Sequence, residues 1–148
     1  MTEQYQENFE NEDDIYINEP GEGYDISKDF TTLHAWQKAQ EVKIFFYEVV
    51  IPKLPVEEKY SLNNQIRKAS ISITANIAEG YGRYYYQEGM QFYRIARGSL
   101  YELKDHLISC YKLTYISEES YTQGINLLES AKRTLNGFIN FVKKQKSK

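Results

Sequence analysis

The sequence predicts an all-α protein built as an antiparallel, up-down-up-down four-helix bundle. Apolar residues recur every three or four positions over four long segments, which is the spacing of helices that bury one face. Beyond residue 28, no stretch alternates apolar and polar side chains in the manner of a strand. Only short segments separate the four helices, and short connections make consecutive helices antiparallel neighbours.

The first predicted helix covers residues 32–50. Its apolar side chains follow the helical spacing at Leu33, Trp36, Ala39, Val42, Phe46 and Val49. Pro52 and Pro55 end it, because a proline ring removes a backbone donor and clashes with the preceding turn.

The second predicted helix covers residues 56–79. Glu57 and Glu58 place negative charge in its first turn, where the helix dipole favours such charge. Gly80 and Gly82 follow the last periodic residue and are expected to terminate the helix.

The third predicted helix covers residues 85–114, and the fourth starts at Ser117, an expected N-cap followed by Glu118 and Glu119. The third helix has an apolar face made by Ala96, Leu100, Leu103, Leu107 and Cys110. The fourth carries Tyr121, Ile125, Leu128, Leu135, Ile139 and Val142 towards a lysine-rich end near residue 146.

The second helix is predicted to be apolar on two opposite sides. At about 100° per residue, one stripe holds Leu62, Ile66, Ala69, Ile73 and Ile77, and the other holds Ile71, Ala75 and Ala78. A helix in a lone bundle buries one face, so we expect the second stripe to meet another copy of the chain. A polar seam lies between the stripes and consists of Gln65, Ser72, Asn76 and Glu79. Together with Glu102 of the third helix, it is expected to supply hydrogen bonds or subunit contacts. Gly98 lies inside the third helix, where glycine lowers helix stability by about 1 kcal/mol relative to alanine. A glycine is expected there if another backbone passes close by.

Charge divides the chain into two regions. Residues 1–28 hold nine acids and one base, Lys28. The whole chain has 21 acids and 18 bases, so residues 29–148 hold 12 acids and 17 bases, a formal charge of +5. We predict a disordered acidic arm over residues 1–28 and a four-helix bundle domain over residues 29–148. The arm is either a solubilising tail or a segment that folds back on a basic face and competes with an anionic partner.

The composition excludes several classes of protein. Cys110 is the single cysteine, so an internal disulfide is impossible and a reducing, cytoplasmic compartment is expected. The sequence does not open with a basic region followed by an apolar stretch, so we expect no signal peptide. No apolar run approaches the roughly 18–20 residues that a membrane span requires, and a membrane partner is not expected.

The sequence carries no catalytic signature, so we expect no enzymatic activity, no cofactor and no bound metal. Glu102, His106 and Cys110 recur every four residues, but their directions drift by about 40° per step and a fourth zinc ligand is missing. The Gly-Tyr-Gly segment at residues 80–82 follows a helix instead of a strand, which favours a helix end over a phosphate loop. An enzyme would need Glu79, Glu102 and His106 to converge in a pocket, and an ion-pair network is the better interpretation of the two carboxylates.

The best candidate for binding is a basic and aromatic stripe on the third helix, made by Arg94, Arg97, Tyr101 and Lys104. We group it with three further bases, Arg67, Lys68 and Arg83. Arginine and lysine neutralise phosphates and tyrosine rings stack on unpaired bases, which favours structured RNA or a protein bound to RNA as the partner. The same residue types are typical of protein interfaces, so a protein-directed scaffold or regulator that binds no nucleic acid is the alternative.

Four motifs in order carry a resemblance to a known family. They are F-x-x-L-x-x-W-Q-K-A at residues 30–39, P-x-E-E-K-Y-x-L-x-x-Q-I-R-K-A at 55–69, S-I-T-A-N-I-A-E-G-Y-G-R at 72–83 and I-A-R-G-S-L-x-E-L at 95–103. Over about residues 30–142 the chain resembles the four-helix-bundle proteins encoded in bacterial 23S ribosomal RNA intervening sequences. The resemblance implies a ring-shaped homopentamer with no established enzymatic activity. That family is similar in fold to the accessory variability determinant of diversity-generating retroelements, a pentamer that binds nucleic acid and a reverse transcriptase.

Overall fold

The computed structural model describes residues 29–83 and 85–145, and residues 1–28, 84 and 146–148 lie outside it. Four long helices make up most of the described chain: α1 (His34–Phe45), α2 (Leu62–Tyr81), α3 (Tyr86–Lys112) and α4 (Glu118–Lys144). These described ranges contain no strand. The all-α prediction is therefore confirmed, whereas the predicted acidic arm lies outside the described residues.

Contacts between the helices show that sequential helices run antiparallel. Along each pair, the residue numbers of the contacting residues rise on one helix and fall on the next. They join Lys43 to Thr74 and Tyr47 to Arg67 between α1 and α2, Ser72 to Ser99 and Gly80 to Gly89 between α2 and α3, and Lys104 to Glu129 and Arg97 to Asn136 between α3 and α4. The last helix, α4, also packs against α1, so the four helices form a closed arrangement around one core.

One apolar face of each helix supplies the core. The α2 stripe that was predicted to face inward is buried at Ile66, Ala69, Ile73 and Ile77. The largest side chains that water does not reach include Tyr93 and Phe138, whose rings meet edge to face with centroids 4.7 Å apart. Full burial of an aliphatic or aromatic side chain stabilises the fold by about 1.5–3 kcal/mol, so this core holds the helices in register.

The first two helices differ from their predicted bounds at the connection between them. After Phe45 the chain continues as a π-helical segment, Phe46–Val50, and then as a 3₁₀ turn, Ile51–Lys53. The regular α-helix therefore ends at Phe45, before both prolines, and Pro52 lies in the 3₁₀ turn that follows the π-helical segment. The start predicted at residue 56 is wrong, because Val56–Glu58 is a separate 3₁₀ turn and α2 begins at Leu62. Tyr115 donates a 3.3 Å hydrogen bond to Glu58 and ties this connection to the one between α3 and α4.

Gly80 does not terminate α2, which corrects the sequence-based prediction. The helix runs on to Tyr81, and Gly82 is its C-cap, whose N–H donates to the carbonyl of Ala78 at 3.0 Å. Gly80 is needed for a different reason, since a Cβ there would lie 2.6 Å from Tyr93 Cε1 and 3.0 Å from the carbonyl oxygen of Gly89. The absence of side chains at Gly80 and Gly89 lets α2 and α3 approach each other closely.

The connection between α3 and α4 contains a residue in a left-handed conformation. Thr114 has a φ of 63°, a region in which β-branched residues are strained. It follows the last turn of α3, and the N–H of Tyr115 reaches back to the carbonyl of Cys110 at 2.9 Å. The N-cap of α4 is confirmed, because Ser117 Oγ accepts a 3.1 Å hydrogen bond from the N–H of Ser120.

Candidate functional site

The basic stripe of α3 lies beside a second row of polar and basic side chains on α4. On α4, exposed and half-buried residues recur at the helical spacing and contact the α3 stripe. We call the combined surface the α3–α4 face, and it consists of Arg94, Arg97, Tyr101 and Lys104 from α3 and Glu129, Lys132, Arg133 and Asn136 from α4. The face holds five bases and one carboxylate, so it carries a formal charge of +4.

The single carboxylate of the α3–α4 face is shared by two lysines. Lys104 Nζ lies 3.0 Å from one oxygen of Glu129, and Lys132 Nζ lies 2.9 Å from the other. The hydrogen bonds from Lys132 and Lys104 hold the pKa of the Glu129 carboxyl below its ordinary value. The carboxylate is therefore ionised at neutral pH, and the three side chains together keep one positive charge.

The remaining α3 side chains are positioned by neutral or aromatic neighbours. Arg97 donates to Asn136 Oδ1 at 3.2 Å, a contact that orients the guanidinium without neutralising it. Lys132 Nζ lies 5.3 Å from the ring centroid of Tyr101, which is 52% exposed. Arg94 is exposed, and no carboxylate of the described chain lies within ion-pair distance of it. The face thus presents oriented positive charge beside an accessible aromatic ring.

Three of the predicted binding residues lie away from this face. Arg67 donates to Asn63 at 2.8 Å and lies over the ring of Tyr47, at the boundary between α1 and α2. Arg83 follows α2, pairs with Glu79 at 3.3 Å and lies over the ring of Phe92. Lys68 is exposed on α2. The seven residues that the sequence grouped therefore do not form one surface, although four of them do.

Part of the predicted polar seam forms hydrogen bonds within the chain. Ser72 and Ser99 share a 2.8 Å hydrogen bond between α2 and α3, and Asn76 donates to both the carbonyl and the hydroxyl oxygen of Ser72 at 2.9 Å. Gln65 is exposed, Glu79 pairs with Arg83, and Glu102 pairs with His106 at 3.1 Å. Glu79 and Glu102, the two carboxylates of the predicted ion-pair network, therefore have different partners.

Two of the three residues in the second apolar stripe of α2 are open to solvent. Ile71 is 53% exposed and Ala75 is exposed, whereas Ala78 is half-buried. On α3, Ile95 is 45% exposed. A Cβ added at Gly98 would meet no heavy atom of the described residues within 4 Å, so nothing in that part of the chain requires a glycine there. We call Ile71, Ala75, Ile95 and Gly98 the α2–α3 outer face. Its contact with another copy stays a prediction.

The candidate metal ligands on α3 do not converge. Among the described residues, no three His, Cys, Asp or Glu side chains are arranged to hold a metal ion. Cys110 is fully buried, and burial together with the negative charge of Glu58 raises the pKa of its thiol to about 11. His106 instead contacts Glu102 and, at 3.7 Å, Asp105 near the surface. A thiol so buried and so weakly acidic is unsuited to metal binding or nucleophilic attack.

The α4 side of the α3–α4 face was missed by the sequence reasoning. Lys132, Arg133 and Asn136 recur at the helical spacing, and this signal was available in the sequence. What the sequence did not supply was their register against α3, which places Asn136 beside Arg97 and Lys132 beside Tyr101.

None of the helices within residues 29–83 and 85–145 combines the length and the apolar character that crossing a bilayer demands. A comparison with curated proteins finds no match to the chain. The family model described as 23S rRNA-intervening sequence protein matches residues 31–137, a range that includes all of α1, α2 and α3, most of α4 and every residue of the α3–α4 face. The chain therefore belongs to the 23S rRNA-intervening sequence protein family.

Proposed function

We propose that the protein is a non-enzymatic binding module that assembles with copies of itself. It binds nucleic acid on the α3–α4 face, with structured RNA as the preferred ligand. The observation that supports this function is the alignment of two basic rows from α3 and α4 around an exposed tyrosine. Basic side chains neutralise phosphates, and an accessible aromatic ring offers a platform to an unpaired base.

The charge of the face sets the expected salt dependence. With four net positive charges, a ligand that contacts about four phosphates loses affinity with a logarithmic slope of about −3 against salt. Raising the salt concentration fourfold would then weaken binding roughly 60-fold. A partner recognised through apolar contacts would show a much smaller change.

Self-association supports the same function, because several copies in one ring present several basic faces to one long ligand. We propose the ring-shaped homopentamer implied by the resemblance, with the α2–α3 outer face at the subunit contact. Its exposed Ile71 and Ile95 and the open space at Gly98 are what another copy would cover. Sedimentation at micromolar concentration tests this part, and a monomer there would overturn it.

The binding proposal is tested by reversing charge on the face. In Arg94→Glu/Arg97→Glu, we expect the affinity for a structured RNA, read by fluorescence anisotropy at low salt, to fall at least tenfold. The matched control, Lys53→Glu/Lys59→Glu, makes the same change of charge at exposed positions near the connection between α1 and α2. Equal losses in both variants would indicate nonspecific attraction, and no binding to the unaltered chain or to a chain with a neutralised arm would refute the function.

A second candidate, a protein-directed scaffold or regulator, is favoured by a different observation. At the end of the bundle where Tyr115 contacts Glu58, apolar side chains project into solvent: Val56 is 77% exposed, Tyr60 84% and Leu113 52%. Such side chains suit a protein partner better than a phosphate backbone. A defined protein recovered with the chain after nuclease treatment, and lost in Tyr60→Ser, would support this alternative.

A further inference from the structure

We propose that the acidic residues 1–28 dock on the C-terminal half of α4, residues 130–145, and so cover the α4 side of the α3–α4 face. The contact itself is independent of what the face binds. Its consequence, competition with nucleic acid, rests on the proposed function.

The place where the described chain begins supports this docking site. Asp29 accepts a hydrogen bond from the N–H of Thr31, and the turn Phe30–Thr32 packs against α1 and α2. Because α1 and α2 are antiparallel, this turn lies at the end of the bundle where α2 terminates. The last turn of α4 lies at the same end, since Tyr86 at the start of α3 contacts Phe141. The first described residue, Asp29, therefore lies at the same end of the bundle as the C-terminal end of α4.

Charge distinguishes the C-terminal half of α4 from the neighbouring helix α1 at this end of the bundle. Residues 130–145 contain four bases, Lys132, Arg133, Lys143 and Lys144, and no acid. The neighbouring helix α1 holds two lysines and one acid, a net charge of +1 against +4 for residues 130–145, and its Lys38 already lies 3.8 Å from Glu41. Residues 1–28 carry a formal charge of −8. The C-terminal half of α4 is thus the adjacent surface whose charge is complementary to that of residues 1–28.

The length of the segment is sufficient. Lys132 and Lys144 are separated by about 18 Å along the helix, at about 1.5 Å per residue. A segment of 28 residues spans at most roughly 90 Å, so its acids reach the whole row. Because the segment is part of the chain, its local concentration is in the millimolar range, and contacts that are weak between separate molecules suffice to populate the docked state.

Cross-linking in the full chain tests the contact directly. A carbodiimide joins carboxylates to lysine amines that lie in direct contact. At low salt we expect links from acids of residues 1–28 to Lys132, Lys143 and Lys144. The exposed Lys53, Lys59 and Lys112, at the other end of the bundle, are the matched controls. Links of equal yield to the control lysines, or no links from residues 1–28, would overturn the docking.

A second measurement tests the consequence and separates it from the proposed function. Converting the nine acids of residues 1–28 to their amides should raise the affinity for the same structured RNA about tenfold at low salt, with a smaller gain at high salt. Neutralising Glu57, Glu118 and Glu119, outside that segment, should leave the affinity unchanged. Equal RNA affinity with and without the nine acids would refute the competition while leaving the binding function intact. Specific cross-links in a chain that binds no RNA in either form would support the docking and refute the proposed function.

Discussion

Substitution of Gly98 by alanine is expected to raise the stability of the isolated subunit and to weaken its association with other copies. Gly98 lies within α3, and an added Cβ would meet no heavy atom within 4 Å in the part of the chain that the structure describes. Alanine is more favourable than glycine inside a helix by about 0.5–1 kcal/mol. The Gly98→Ala chain should therefore be more stable by this amount, which corresponds to a rise of about 1–4 °C in the melting temperature.

The same methyl group should weaken self-association. If a neighbouring backbone occupies the open space at Gly98, the methyl overpacks that contact at a cost of about 1–3 kcal/mol. Association would then be roughly 5- to 150-fold weaker. The two effects differ in sign, so they are separable in one variant.

Denaturant unfolding over about a hundredfold range of protein concentration measures both effects. The midpoint of an associating chain rises with concentration, whereas that of a monomer does not. We expect the midpoint of Gly98→Ala to depend less on concentration than that of the unaltered chain, and to be higher at the lowest concentration. A lower midpoint at the lowest concentration would refute the open space at Gly98. An unchanged concentration dependence would refute its place in the subunit contact.

Three further substitutions test the packing and the electrostatics of the fold. Gly124→Ala should lower the free energy of unfolding by about 1–3 kcal/mol, because a Cβ there would lie 2.6 Å from Leu107 Cδ2 and 2.7 Å from Phe45 Cε1; an unchanged urea midpoint would contradict this. Thr114→Gly should raise the free energy of unfolding by up to about 1 kcal/mol, because glycine adopts the positive φ of this position without strain; Thr114→Ala is the control, and its melting temperature should rise less. The pKa of the Cys110 thiol is raised to about 11 by burial, so its contribution to stability is complete below the ordinary pKa of about 9 and is lost as pH rises towards 11. Relative to Cys110→Ala, the unaltered chain should lose about 2 kcal/mol of unfolding free energy between pH 8 and pH 10.5, and a constant difference between the two would count against the buried thiol.

Local sequence predicted the helices but not the reasons for all of their ends. The apolar periodicity of α2 identified the buried Ile66, Ile73 and Ile77, because burial of one helical face leaves that pattern in the sequence. The sequence predicts a helix end at Gly80, since glycine commonly follows the last turn of a helix. Its actual role depends on Gly89 and Tyr93 of the next helix, and such a contact has no local signature.

The candidate site likewise has a part that the sequence predicted and a part that depends on contacts between helices. Spacing within α3 was enough to place Arg94, Arg97 and Lys104 on one side of the helix. Their partners on α4 depend on how the two helices align, and Glu129 lies 25 residues from Lys104 in the chain. Arg67 is grouped with the site as a further base in the sequence, but in the structure it lies over the ring of Tyr47 instead.

The close approach of Gly80 and Gly89 bears on the order in which the chain folds. These glycines are nine residues apart in sequence, whereas the contact of Phe45 with Gly124 joins α1 to α4 across 79 residues. Short loops close at a lower cost in entropy, so we expect the α2–α3 hairpin to form first. Substitutions at Gly80 or Gly89 should then slow folding, and those at Gly124 should mainly speed unfolding. Because the α2–α3 outer face belongs entirely to this hairpin, the surface for meeting another copy would be complete before α1 and α4 have paired.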